Sequence, residues 1–149
     1  MSIATSTSTV QPIRREPLVL ALVALLVTDL VGGLIAVSAE VNTWGEAWGS
    51  KALLAAPLPM IGAQVVLTVL AVRLDGRRAA VPAGLLATAC LVSVVSGFFD
   101  GGLGNDELTT ALAAYQTFLL TVTGVVGVLA ARLAWRRSRG QRGGQREGQ

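Results

Sequence analysis

The sequence contains no histidine and a single cysteine, Cys90. Histidine is the usual ligand of haem and zinc and the commonest general base, so its absence excludes much metal and acid–base chemistry. One cysteine forms neither an internal disulfide nor a CxxC redox pair. Because the neighbours of Cys90 are apolar, we expect it to pack rather than react. We therefore expect a protein with no cofactor and no enzymatic activity. A membrane-bound oxidoreductase is the alternative, and the lack of histidine and of a second cysteine makes it the least favoured one.

Charged and aromatic residues are also scarce. Charged residues make up 14% of the 149 residues and aromatic residues 5%, whereas 52% of the chain is hydrophobic. An average soluble domain has about 25% charged residues. The apolar content here is mainly Ala, Val and Leu, accompanied by 17 glycines, and small residues of this kind let membrane helices approach closely. The composition indicates an all-α membrane protein.

Four apolar runs in the sequence are long enough to cross a bilayer. About 20 helical residues span a hydrocarbon core ~30 Å thick. The predicted transmembrane spans cover residues 18–38, 52–72, 79–99 and 110–131. Since the connectors between them are short, we predict one four-transmembrane-helix bundle over residues 18–131, in antiparallel up-down-up-down order.

Both ends of the chain are polar and carry no hydrophobic pattern. Residues 1–17 are rich in Ser and Thr, and residues 132–149 are rich in Arg, Gly and Gln. Segments with so few apolar residues cannot bury enough surface to fold alone. We expect two disordered cytoplasmic tails, of which the second is basic.

Lysine and arginine are distributed unequally around the four spans. With four crossings, eleven of the 12 lie on one side, in the two tails and the 73–78 loop, and Lys51 alone lies on the other. Short loops rich in these residues stay in the cytoplasm. We therefore predict a multi-pass protein of the inner (plasma) membrane with both termini cytoplasmic. Basic residues placed beside spans, rather than along a soluble face, argue against nucleic-acid binding.

A cleaved signal peptide over residues 1–39 is the alternative reading of the first apolar run. Signal sequences have a hydrophobic region of about 7 to 15 residues that lacks acids. The run here is longer and contains Asp29. We therefore interpret it as a membrane span.

Asp29 is the ionisable residue inside the first span, close to its midpoint. An acid at this depth costs at least about 2.5–3.5 kcal/mol on insertion and is a functional hypothesis by default. Gln64 and Thr68 in the second span and Ser93 in the third are polar as well, and we expect these four residues to form one intramembrane polar centre. Asp29 then either binds and releases a proton or cation, or forms a polar clasp between helices.

Three tryptophans lie beside the predicted spans. Trp44 and Trp48 fall in the first connector and Trp135 in the basic tail. Tryptophan is enriched at both membrane–water interfaces, so we expect all three to be membrane-interface anchors. The expected partners are the lipid bilayer and either a second copy of the chain or another membrane protein.

Four short spans with an acid in the first resemble the small multidrug-resistance transporters in architecture. Those proteins carry a glutamate where this sequence has Asp29, and the charge bias here fixes one orientation. The missing catalytic groups favour a non-enzymatic accessory or regulatory membrane component that acts through its helix faces and outer loops. The alternative is a proton-coupled small-molecule transporter or permeability component that acts as an oligomer around Asp29, since four spans alone enclose little pathway.

Overall fold

The computed structural model describes residues 16–49, 52, 54–99 and 109–139, and these form four α-helices and no strand. The helices are α1 (Pro17–Ser38), α2 (Leu58–Arg73), α3 (Arg77–Phe99) and α4 (Thr110–Arg139). Helices α1, α3 and α4 are long and apolar enough to cross a membrane, and α2 is a shorter apolar helix. The all-helical prediction is confirmed. Residues 1–15 and 140–149, which hold most of the predicted tails, lie outside the described residues.

Helix α1 has clear start and stop signals. Pro17 occupies its first turn, where a missing N–H costs least. The helix ends at Ser38, and Glu40 then takes a left-handed backbone conformation with φ of 57°. This turn lets the N–H groups of Val41 and Asn42 donate to the Ala36 carbonyl, which satisfies the end of the helix.

Helix α2 begins six residues later than the predicted second span. It has 16 residues and is about 24 Å long, shorter than a ~30 Å hydrocarbon core. Leu54 and Ala55 precede the helix and are not helical, yet they are 0% and 6% exposed. Irregular backbone inside a membrane is tolerated only where protein surrounds it, and the burial of these two residues is compatible with that requirement.

Helix α4 continues to Arg139, beyond the predicted end of the fourth span at residue 131. Its last turns contain several arginines and Trp135. Residues 132–139 are therefore helical and extend the bundle at one end.

The four helices form a ring in which each contacts two neighbours. The α3–α4 contact is the most extensive, followed by α2–α3 and α1–α4, and the α1–α2 contact is the smallest. Among the described residues, α1 does not contact α3, nor does α2 contact α4. The shared apolar core draws on all four helices and consists of Leu18, Leu25, Ala71, Ala83, Leu86, Cys90, Leu119, Val126 and Ala130.

The bundle is apolar outside and partly polar inside. Large aliphatic side chains are exposed along the outer faces of the helices, for example Leu20, Val27 and Leu30, each more than half exposed. The buried polar side chains are Thr28, Asp29, Asn42, Gln64, Thr68, Gln116 and Thr123. A water-soluble protein rarely exposes so much contiguous apolar surface, so this arrangement is compatible with a lipid environment.

Candidate functional site: a polar cavity around Asp29

Asp29 lies in the middle of α1 and is 1% exposed. Its Oδ1 accepts a hydrogen bond of 2.9 Å from the backbone N–H of Ala56, 27 residues further along the chain. Its Oδ2 is buried and has no hydrogen-bond partner within the described residues. One carboxylate oxygen thus links α1 to the backbone just before α2, and the other accepts no hydrogen bond from the described residues.

The start of α2 shows why the backbone requires this carboxylate. Helix starts leave unpaired N–H groups, which are costly away from water. Pro57 and Pro59 have no N–H, the Leu58 N–H donates to the Trp48 carbonyl at 3.0 Å, and the Met60 N–H donates to the Pro57 carbonyl at 2.9 Å. With the bond from Ala56 to Asp29, every N–H from residue 56 to residue 60 is either missing or hydrogen-bonded.

Asp29 also sets the depth at which α2 begins. It lies nine residues before the end of α1 at Ser38, a distance of about 14 Å along the helix. The connecting segment between α1 and α2, called here the α1–α2 segment (described at residues 39–49, 52 and 54–57), therefore descends well below the end of α1. The short length of α2 follows from this descent.

Two glycines on α1 make room for the α1–α2 segment. A methyl group on Gly32 would overlap the Leu54 carbonyl oxygen, and one on Gly33 would lie 2.5 Å from the Trp48 ring. The Tyr115 ring of α4 contacts Gly32 as well, and its hydroxyl donates to the Thr28 carbonyl. The segment is therefore packed between α1 and α4.

A cavity of about 120 Å³ lies where the four helices meet below this segment. Each helix contributes polar side chains to its lining: Asp29 from α1, Gln64 from α2, Ser93 from α3, and Gln116 and Thr123 from α4. A polar space of this size holds several water molecules or a small hydrated ion. It is too small for a drug-sized molecule, which occupies about 300 Å³ or more.

Three side-chain oxygens at the cavity accept no hydrogen bond within the described part of the chain. Besides Oδ2 of Asp29, the side-chain carbonyl oxygens of Gln64 and Gln116 are buried without a hydrogen-bond partner in the described part of the chain. The hydroxyls of Ser93 and Thr123 donate to carbonyls of their own helices, so their protons are already used. These oxygens can each accept a hydrogen bond from water or coordinate a cation, and the carboxyl group can bind a proton, while the side-chain NH2 groups of the two glutamines are donors at the same site.

The carboxylate at the cavity has no basic partner. None of the described residues that line the cavity is lysine or arginine. A buried charge is costly unless it is paired, and none of the described lining residues supplies that charge, so a proton or a small cation is a candidate to neutralise Asp29.

No known family model, curated protein or solved structure matches this chain.

The structure brings three of the four predicted polar residues together. Asp29, Gln64 and Ser93 line the cavity, whereas Thr68, although 2% exposed, lies one helical turn from Gln64 and does not. Gln116 and Thr123 also line the cavity. They are seven residues apart in the sequence, on one side of the fourth span, and were not among the four residues predicted for the polar centre. An amide inside an apolar run was the available signal for Gln116, and only the packing of α4 reveals its proximity to Asp29.

The predicted tryptophan anchors lie at opposite ends of the bundle. Trp44 is 66% exposed and its ring centroid is 5.9 Å from that of Trp48, which packs over Gly33. Trp135 is 60% exposed near the end of α4, and the Arg139 guanidinium lies 4.1 Å from its ring centroid. Trp48 therefore also has a packing contact with α1, while anchoring by the three tryptophans stays a prediction.

Proposed function

We propose that this protein is a non-enzymatic multi-pass membrane protein that binds and releases a proton or small monovalent cation at Asp29, as a small permeability or transport component. The observation that carries the proposal is the buried carboxylate, one oxygen of which accepts no hydrogen bond, at a partly polar cavity with no basic residue among the described residues that line it. A structural role for Asp29 in joining α1 to the α1–α2 segment requires only the oxygen that accepts from Ala56. It does not explain the two glutamine carbonyl oxygens that are buried nearby without a partner among the described residues.

The proposal includes four crossings of the inner (plasma) membrane in up-down-up-down order, with both termini in the cytoplasm. The contacts at one end of the bundle support this order. Arg137 near the end of α4 lies 3.7 Å from Asp75 in the α2–α3 turn, and the start of α1 borders the same part of α4. Arginines are concentrated at this end, as expected for a cytoplasmic face. They are Arg73, Arg77, Arg78, Arg132, Arg136, Arg137 and Arg139.

The size and chemistry of the cavity support a small bound species. About 120 Å³ lined by acceptor oxygens suits a proton carried on the carboxyl group, or a small cation with a few water molecules. An anion would meet the carboxylate and the carbonyl oxygens without any compensating charge. Passage across the membrane needs a longer path than this cavity, so we propose that the protein acts as an oligomer in the bilayer.

Asp29→Asn tests the proposal, because asparagine keeps a side-chain carbonyl for the Ala56 N–H but cannot bind and release a proton. The protein is reconstituted into liposomes, and proton and sodium fluxes are measured with a pH-sensitive dye and radioactive sodium. We expect Asp29→Asn to abolish the flux that the wild type shows. Asp29→Ala, which loses both the charge and the hydrogen bond, serves as the comparison. Wild-type flux in Asp29→Asn, or no flux from the wild type, would overturn the proposal.

A second candidate function rests on the other oxygen of Asp29. Its bond to Ala56 holds the α1–α2 segment in place, which suits an accessory or regulatory component that presents this segment to another membrane protein. In this case Asp29→Asn keeps the function and Asp29→Ala loses it. Capture of the full-length protein in mild detergent, with the co-purified membrane proteins compared between the two variants, separates the candidates.

A further inference from the structure

A second cavity lies at the arginine-rich end of the bundle, between the start of α1 and the last turns of α4. Its volume is about 170 Å³. One wall is apolar and consists of Pro17, Leu18, Leu129 and Leu133, while the charged lining residues are Glu16, Arg132 and Arg136. This cavity shares no lining residue with the one around Asp29.

Arg132 and Arg136 are placed to act together. They are four residues apart on α4, so their side chains project from the same helix face. Arginine binds phosphate through paired N–H donors, and two such groups on one face bind one phosphate from two sides. No ion pair joins either arginine to an acid in the described part of the chain, although Glu16 borders the same cavity. Both guanidinium groups are therefore available to a ligand.

The combination of an apolar wall and a pair of arginines matches a lipid headgroup. Basic pockets between membrane helices on the cytoplasmic side bind anionic phospholipids. We propose that this cavity binds the headgroup of an anionic glycerophospholipid, with the phosphodiester on Arg132 and Arg136. The carboxylate of Glu16 accepts a hydrogen bond from a headgroup hydroxyl. The acyl chains extend along the exposed apolar faces of α1 and α4.

Lipid binding to the full-length protein in detergent, measured by native mass spectrometry, tests the site. Phosphatidylglycerol is the anionic probe, phosphatidylcholine is the neutral probe, and inorganic phosphate is the competitor. We expect R132Q/R136Q to weaken retention of phosphatidylglycerol about 30-fold. The matched control is R77Q/R78Q, which removes the same charge from exposed arginines at the same end but outside the cavity and should keep wild-type retention.

Glu16→Gln should strengthen the binding of phosphatidylglycerol, whereas a folding defect would weaken it. Removing this carboxylate leaves a hydrogen-bonding amide and takes away repulsion of the lipid phosphate, so we expect retention of phosphatidylglycerol to rise about threefold.

Three results would overturn the lipid site. Equal losses in the two double variants would mean that binding depends on overall charge alone. Equal retention of phosphatidylcholine would remove the anionic headgroup as the ligand. Displacement of phosphatidylglycerol by millimolar inorganic phosphate would assign the cavity to free phosphate instead.

Discussion

Single residues on α1 decide how closely the α1–α2 segment can approach it. Gly32 meets backbone, the Leu54 carbonyl, whereas Gly33 meets a side chain, the Trp48 ring. A backbone carbonyl buried between α1 and α4 has little freedom to move, whereas the half-buried Trp48 side chain can change its rotamer. The two adjacent glycines should therefore differ in their tolerance of a methyl group.

We predict that Gly32→Ala lowers the free energy of unfolding by about 1–3 kcal/mol, as overpacking of a tight site does, and that Gly33→Ala lowers it by less. Gly62→Ala on α2 is the matched control, because a methyl group there meets no atom within 4 Å. Thermal denaturation of the three variants in one detergent gives the order of their stabilities. A Gly32→Ala protein as stable as Gly62→Ala would show that Leu54 does not pack there.

At the scale of helices, the start of α2 depends on a residue of α1. The hydrogen bond from the Ala56 N–H to Asp29 is worth about 1.5–3 kcal/mol when the carboxylate is ionised and about 0.5–1.5 kcal/mol when it is protonated. Its loss leaves the Ala56 N–H unpaired at the depth where α2 begins, so local opening of this turn becomes easier.

Hydrogen exchange followed by mass spectrometry measures that dependence. In Asp29→Ala we expect the peptide that contains Ala56 to exchange about 10- to 100-fold faster, since local exchange reports local opening. In Asp29→Asn the amide carbonyl still accepts the bond, and exchange should stay near the wild-type rate. A peptide from the middle of α3, around Leu86, is the internal control. Unchanged exchange in Asp29→Ala would contradict the proposed dependence.

The start of α2 is also the part of the fold that is hardest to predict from the sequence. Residues 52–57 are as apolar as the helix that follows, and hydropathy does not distinguish a chain buried by protein from a helix in lipid. Pro57 and Pro59 were the available signal, because a missing N–H suits a helix start better than a helix interior. The four helices themselves can be predicted from the four long apolar runs of the sequence. Asp29 stands out because acidic residues are rare inside such runs. The spacing of seven residues places Gln116 and Thr123 on one face of α4, but that this face meets Asp29 depends on how α4 packs.

On the scale of the whole molecule, the distribution of charge predicts a single orientation. A reporter that is active only in the periplasm should be silent when fused after Arg139, at the arginine-rich end. The same reporter inserted after Gly45, where the surroundings are open, should be active. Activity at the first site or silence at the second would contradict the proposed topology, and cell-fraction immunoblots confirm that both fusions are made.

In the proposed four-crossing topology, the buried start of α2 bears on the order in which the helices enter the bilayer. A 16-residue helix preceded by irregular backbone is a poor candidate for independent insertion, because its upstream amides would meet lipid without partners. Those amides find acceptors in Asp29 and Trp48, both earlier in the chain. The first half of the protein should therefore leave the insertion machinery as a paired helical hairpin, with the acid of α1 already in place when α2 arrives.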